Sequence, residues 1–351
     1  MKKFLQAGIL AAAVIFLVGL VFLQGRNREP QQYEGTFFGC FDTVATVTGY
    51  AESEEDFSEK LGLLEQKLTY YHRLFDIYHT YSGMNNIKTI NDAAGKEAVE
   101  ADAEILNLLK MGKEMYSETG GKLHIAYGSV LSLWHAYREK GLADPRAAEL
   151  PPAEELGRRA AHTDIEDVIL DEQAQTVYLA DPQMSLDVGS IGKGYAVQKL
   201  AEYAREIGLE HALISVGGNV CAVGGKIDGS PWMVGVENPD LESSNAYLAA
   251  VELEGGCIVT SGDYQRYYEV GNTRYCHIID PGTNMPPQYF SSVSVLAEDS
   301  GIADALSTSL FNLEYDEGAS LVEDMPGVEA MWVGKDGEIR QSSGFKADEK
   351  K

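Results

Sequence analysis

The chain predicts an α+β fold of mixed, largely antiparallel sheets with packed helices, preceded by an N-terminal membrane-anchor helix. Three observations carry this reading. Short alternating segments come in adjacent pairs joined by tight polar turns, as around Gly271-Asn272, a pattern of hairpins rather than of parallel crossovers. Between the pairs lie apolar stripes of helical period. Ahead of both, Met1-Lys2-Lys3 opens onto an uncharged run from Phe4 to Gln24.

That run counts 21 residues, close to the ~20 needed to cross a bilayer. The two lysines before it set the N-terminus in the cytoplasm and the remainder outside. Residues 1–24 are therefore a transmembrane anchor or signal segment, and the lack of a clear small-x-small cleavage site favours an uncleaved anchor in the cell membrane. Gly39-Cys40 superficially resembles a lipoprotein site, but it lies far past the apolar run and behind Phe37-Phe38, which argues against lipidation there. Residues 25–36 read as a polar linker, 37–340 as the folded domain and 341–351 as a polar tail.

Within the domain, Thr43 to Tyr50 alternates as a strand. A long amphipathic helix follows, with Leu61, Leu64, Leu68, Tyr71, Phe75 and Tyr78 spaced by three and four. A second helix over about 101–118 carries Ile105, Leu108, Leu109 and Met115 on one stripe. Residues 141–165, with Pro145, Pro151 and Pro152 among charges and alanines, read as an exposed excursion. Val168–Leu170 and Thr176–Leu179 bracket a turn. The helix from about Tyr195 to Ile207 stops at Gly208. Ala212–Val216 and Cys221–Val223 flank Gly217-Gly218, a further hairpin spans 266–279, and a strand at 292–297 leads into a helix from Asp299 to about Leu313.

With 28 basic and 54 acidic residues the net charge is −26, which argues against a nucleic-acid partner. A small anion remains possible, because a cation or a helix N-terminus reverses the field locally. Cys40, Cys221, Cys257 and Cys276 form no Cys-x-x-Cys pair, which disfavours zinc and thioredoxin-like chemistry. An exported domain permits a disulfide, but the expectation for most of the four is a small buried hydrophobe.

Asp187 to Tyr195 is a glycine-rich turn opening a helix. Such a turn brings backbone N–H groups and Lys193 near phosphate oxygens, or it simply joins strand to helix. It is not a Walker A loop, since Gly194 follows Lys193. Thr260 to Arg266 reads as a polar turn ending a strand. His277 and Asp280 are a candidate base with a nearby carboxylate, or a structural histidine. Asp304 and Thr308 stand four apart on one helical face. An oxygen pair of this kind suits a hard cation holding a phosphate, or it serves only the helix itself.

Taken in order, these segments resemble the ApbE family of FAD:protein FMN transferases over roughly residues 36–335. The glycine-lysine motif is Asp187, Gly189, Gly192, Lys193, Gly194 and Tyr195. Gly217-Gly218, Thr260-Ser261-Gly262-Asp263-Tyr264, His277 through Thr283, and Ala303-Asp304 through Thr308 follow at family-like spacing. The resemblance implies the ApbE-like α+β fold, an FAD site and a divalent cation, usually Mg²⁺. The implied metal ligands are Asp304, Thr308 and the carbonyl of Ser190, with Ser307 standing where some relatives carry another carboxylate. Asp187, Lys193 and Ile278 match flavin-contacting positions, Tyr78 matches an aromatic against the isoalloxazine, and Phe41 stands for a methionine. Lys122, Leu123 and His124 match the segment beside the nucleotide. There the chain departs from the family, with His124 for an aspartate and Ala126 for a threonine.

The chemistry so implied is attack by a Ser or Thr hydroxyl of another protein on the FMN-side phosphorus of FAD, with AMP leaving. Such a hydroxyl is a poor nucleophile at neutral pH, so a base is useful, and His277 is the candidate. The same site allows FAD hydrolysis to FMN and AMP, or flavin binding without turnover. No acceptor segment is evident in the chain itself. The expected partner is therefore an acceptor flavoprotein with an extracytoplasmic FMN-binding domain, a subunit of an electron-transfer complex.

Overall fold

The computed structural model describes residues 29–349. The segment expected to be an anchor lies outside them, and among the described residues no helix is long and apolar enough to cross a membrane.

The chain opens on a hairpin, β1 (Gln31–Cys40) and β2 (Thr43–Ala51). Residues 31–36, read as linker from their polarity, are therefore strand: as the sheet's edge β1 needs only one partner, and most of its side chains face solvent. Helix α1 (Glu54–Phe75) starts where the Ser53 side chain accepts the Asp56 N–H, and three acidic residues fill its first turn. It ends at Phe75, three residues short of Tyr78, which projects from the following loop and is 56% exposed. Helix α2 (Ile87–Asp92), strand β3 (Val99–Glu100) and α3 (Ala103–Glu118) come next, with Ile105, Leu108, Leu109 and Met115 buried as the stripe requires.

Helix α4 (Gly128–Ala143) was not legible from its mixed stripe. The excursion at 141–165 is not merely exposed: α5 (Ala153–Ala160) buries Leu156 in a small cluster with Trp134 and Tyr268. Strands β4 (Val168–Asp171) and β5 (Thr176–Leu179) pair as expected. Helix α6 (Gly192–Glu206) is followed by β6 (Ala212–Val216), β7 (Asn219–Val223), β8 (Trp232–Glu237), β9 (Tyr247–Leu253) and β10 (Gly256–Gly262). The hairpin β11 (Tyr267–Val270) and β12 (Thr273–Cys276) turns at Gly271-Asn272. Strand β13 (Phe290–Ala297), α7 (Ser300–Phe311), α8 (Tyr315–Glu323), β14 (Glu329–Gly334), β15 (Ile339–Gln341) and β16 (Asp348–Glu349) complete the chain.

Among the described residues, eight strands form one sheet in the order β1-β2-β6-β7-β10-β13-β14-β15, and every pairing between named strands is antiparallel. One face packs against α1, α3, α6 and α7, burying Val47, Ile214, Val259 and Val295 among Leu64, Leu200 and Leu306. The other face meets the small sheet β16-β9-β8, where Ile258 and Val333 pack on Trp232 and Val251. This is the α+β architecture the hairpins predicted.

The segment read as a polar tail belongs to this second layer. Phe345 is buried in it, and β16 pairs with β9. Its polar composition concealed the single aromatic that anchors it. Two cysteines also depart from expectation: Cys221 and Cys257, directly opposed on β7 and β10 with Cα atoms 4.1 Å apart, form a disulfide. Cys40 and Cys276 are free and buried.

Candidate active site

Loops from across the chain converge on one cavity of about 960 Å³. Its floor is built where α6 meets α7. Gly194 has no room for a side chain, because a Cβ would collide with the Ser300 carbonyl and with Asp304. The bare backbone lets its N–H reach Oδ2 of Asp304 at 2.8 Å. The Ile191 cap contributes no side-chain bond to the start of α6. Gly192 and Tyr195 donate to the Val188 and Ile191 carbonyls at 2.7 and 2.9 Å. With Gly194 bound to Asp304, the Lys193 N–H is the one in that first turn left to a ligand among the described residues.

Asp304 is buried, and among the described residues its Oδ1 accepts no hydrogen bond. Burial pushes its carboxyl up to about 6, with Lys193 and the Gly194 N–H pulling the other way. A carboxylate so placed favours a cation. Thr308 stands one turn along α7, its Oγ1 3.4 Å from Ser261 Oγ. Both Asp304 and Thr308 line the cavity, as does Ser190. Ser307 does not: it is fully buried, with its hydroxyl donated to the Asp304 carbonyl at 3.0 Å and bonded to Ser261 at 2.8 Å. Facing the sheet, Ser307 supports Ser261 rather than reaching the cavity. Among the described residues no group of three or more His, Cys, Asp or Glu could hold a metal. A single carboxylate with hydroxyl and carbonyl oxygens still fits a hard ion that keeps several waters.

Asp187 lies at the turn before α6, where its Oδ1 accepts the Gly189 N–H at 2.9 Å. Burial raises its pKa, opposed by that bond and by His135. Lys193 donates to the Gly217 carbonyl at 3.0 Å. Burial depresses its pKa, Asp304 counteracts, and Arg266 adds to the depression.

Phe41, Tyr78, Lys122, His124, His277 and Ile278 also line the cavity. Leu123 lies apart from it, fully buried in the core with its N–H bound to Thr119 Oγ1. The alternation of that segment turns Lys122 and His124 to the cavity and Leu123 inward. Lys122 is paired with Asp280 at 2.8 Å. His124 packs against Tyr127 and Tyr116, and burial pushes its pKa down to about 4. His277 is exposed on the cavity's surface, yet the protein around it, then Arg266, Arg138 and Lys193, push its pKa down to about 3. A pKa in that direction favours the neutral imidazole and weakens it as a proton acceptor. Asp280 does not orient it, because that carboxylate is taken by Lys122 and by the Gly282 N–H at 3.0 Å.

Several residues were missed from sequence. Asp76 is buried, and its carboxylate accepts the N–H groups of Tyr78 (2.7 Å) and His79 (3.1 Å) and the Tyr81 hydroxyl (2.7 Å). Burial raises its pKa, but these bonds outweigh it and hold the group below its ordinary value. Asp76 thereby fixes the loop that presents Tyr78. Ser261 lies within β10 rather than in a turn, and it buttresses Thr308. Arg138 and Arg266 add positive charge to the walls. The motif around Thr260-Ser261-Gly262 was the one available signal for Ser261.

Residues 41–332 match the model of the ApbE family. An FAD:protein FMN transferase of Klebsiella pneumoniae (strain 342) is 30% identical over 279 residues, 77% of this chain and 84% of that protein. One from Treponema pallidum (strain Nichols) is 32% identical over 273 residues, 74% of this chain and 73% of its own. The crystal structure of an ApbE protein from Thermotoga maritima superposes with a TM-score of 0.79 at 29% identity, covering 92% of this chain and 100% of that one. The flavin transferase ApbE from Vibrio cholerae, at 24% identity and a TM-score of 0.73, shares the fold over 90% of this chain and 99% of its own. A family match across nearly the whole described domain, with solved relatives that follow the same path in space, makes this chain a member of the ApbE family.

Proposed function

We propose that this chain is an FAD:protein FMN transferase acting on an acceptor flavoprotein outside the cytoplasm. The observation that carries the reading is the convergence of Asp187, Lys193, Asp304 and Thr308 on one cavity large enough for a dinucleotide.

In this reading Lys193, through its side chain and its unbonded N–H, holds the pyrophosphate of FAD, while Phe41 and Tyr78 flank the flavin. Asp304, Thr308 and the Ser190 carbonyl would hold Mg²⁺, which supplies charge neutralisation at the pyrophosphate. The acceptor's Ser or Thr oxygen forms a new bond to the FMN-side phosphorus, and the anhydride bond to the AMP phosphate breaks. FMN becomes phosphoester-linked and AMP leaves. His277, which lines the cavity, takes the hydroxyl proton, its basicity rising as the charges of bound FAD and metal change the field around it. Arg138 and Arg266 offset negative charge that develops nearby. The apolar run at 4–24 would tether the chain to the membrane, leaving the domain on the extracytoplasmic side with its acceptor.

The test is incubation of the full chain in detergent with FAD, Mg²⁺ and an extracytoplasmic FMN-binding domain. A mass gain on the acceptor equal to FMN supports transfer. Free FMN with an unmodified acceptor supports hydrolysis instead, and tight FAD binding with no turnover under any divalent metal overturns the enzyme reading.

A further inference from the structure

The two residues that join β1 to β2, Phe41 and Asp42, both have positive φ, +52° and +51°. A two-residue hairpin turn of this hand favours Asn-Gly, because a side chain at either position crowds its own backbone. Here a bulky aromatic and an aspartate occupy both, and both line the cavity. A turn in such a conformation persists when its surroundings over-determine it.

Two side chains distant in sequence do so. His72, near the end of α1, accepts the Phe41 N–H on Nδ1 at 3.2 Å, and its ring meets the Phe41 ring edge-on at 5.5 Å. Arg266, just before β11, donates from Nη2 to the carbonyls of Phe41 (3.5 Å) and Asp42 (3.4 Å). The backbone carbonyl of Arg266 also accepts the His277 N–H at 3.0 Å. The hairpin tip is thus tied on one side to the helix and on the other to the segment that carries His277.

We infer that His72 and Arg266 are positioning residues, which clamp the strained Phe41-Asp42 tip over the cavity so that Phe41 is held ready for a flavin. The clamp stands on contacts within the chain; its consequence for flavin rests on the FMN-transfer reading above.

Two measurements separate these parts. Amide hydrogen exchange over residues 38–44 of the full chain without ligand should rise by about 10-fold or more in His72→Ala and in Arg266→Ala, since each removes a tie on a locally opening segment. Equal exchange in folded wild type and variants overturns the clamp. FAD titration, followed by flavin fluorescence, should show Kd weakened by about 10-fold in the same variants. His72→Gln, which retains an acceptor, should recover most of the loss. Asp42→Gly in the Arg266→Ala background should do likewise, because glycine takes the left-handed conformation without strain. A raised exchange rate with unchanged Kd overturns the flavin role of the clamp. A wild-type chain that binds no FAD, but whose tip loosens in the variants, overturns the flavin reading and leaves the clamp intact.

Discussion

The amide of Gly194 donates to Oδ2 of Asp304 at 2.8 Å, pinning the first turn of α6 to the middle of α7. The contact takes one lobe of a buried carboxylate and leaves the other for a cation. Asp304→Ala should therefore lower divalent-dependent FMN transfer by about 100-fold or more, with the fold retained. Turnover measured across a magnesium titration checks this, and full activity at saturating metal would remove Asp304 from the ligand set.

Gly194→Ala should act through packing. The new methyl group has to push the two helices apart against Ser300 and Asp304, which costs about 1–3 kcal/mol. Thermal unfolding should show a lower Tm, and turnover should fall together with it. A variant of unchanged Tm would mean that the helices can part freely.

Asp76→Ala removes the anchor of the Tyr78 loop. It orphans two backbone N–H groups and the Tyr81 hydroxyl. The expected destabilisation is about 1–3 kcal/mol, and the KM for FAD should rise more than kcat falls. Steady-state kinetics with denaturant unfolding distinguishes this from a purely structural effect, in which KM would stay put.

The pH profile tests His277. With its pKa pushed down to about 3, the imidazole is the free base throughout the neutral range, so kcat/KM should show no His277-dependent inflection near pH 6.5. His277→Gln should lower kcat by about 100-fold and leave the FAD Kd within a few-fold. An acidic limb near pH 6.5 that vanishes in His277→Gln would keep His277 as the base but with an ordinary pKa, whereas a His277→Gln variant of unchanged kcat would remove it from that role.

His124 carries a stability signature. Its folded pKa lies at about 4, below the ordinary 6.5, so between those values the unfolded chain binds the extra proton. Stability should therefore rise with pH through that window and be lost as pH falls from 6.5 toward 4. The loss is at most about 3–4 kcal/mol, and less because the side chain is only partly buried. His124→Phe should flatten that limb in urea unfolding measured from pH 4 to 7; an unchanged slope would place the dependence elsewhere.

Much of the fold was legible because its signals are local. Alternation over 168–179 and 267–276 encodes hairpins whose two strands lie a turn apart, and the stripe on 103–118 encodes a buried helical face. The failures have local causes too. Tyr78 continues the spacing of α1 by chance after the helix has ended, and Phe345 hides a buried anchor in an otherwise polar segment. Leu123 and Ser307 neighbour true cavity residues in sequence but point to the other side, because one residue's step reverses or rotates the side chain.

The sequence by itself determined the α+β class, the hairpin pairs, and the family motifs around Asp187, His277 and Asp304. Only the tertiary structure decided that Asp304 meets Gly194 across 110 residues and that Arg266 meets the Phe41-Asp42 turn across about two thirds of the chain. Neither contact leaves a periodic trace. Each follows from how the helices stack on the sheet and from the space that a missing Cβ or a left-handed turn provides.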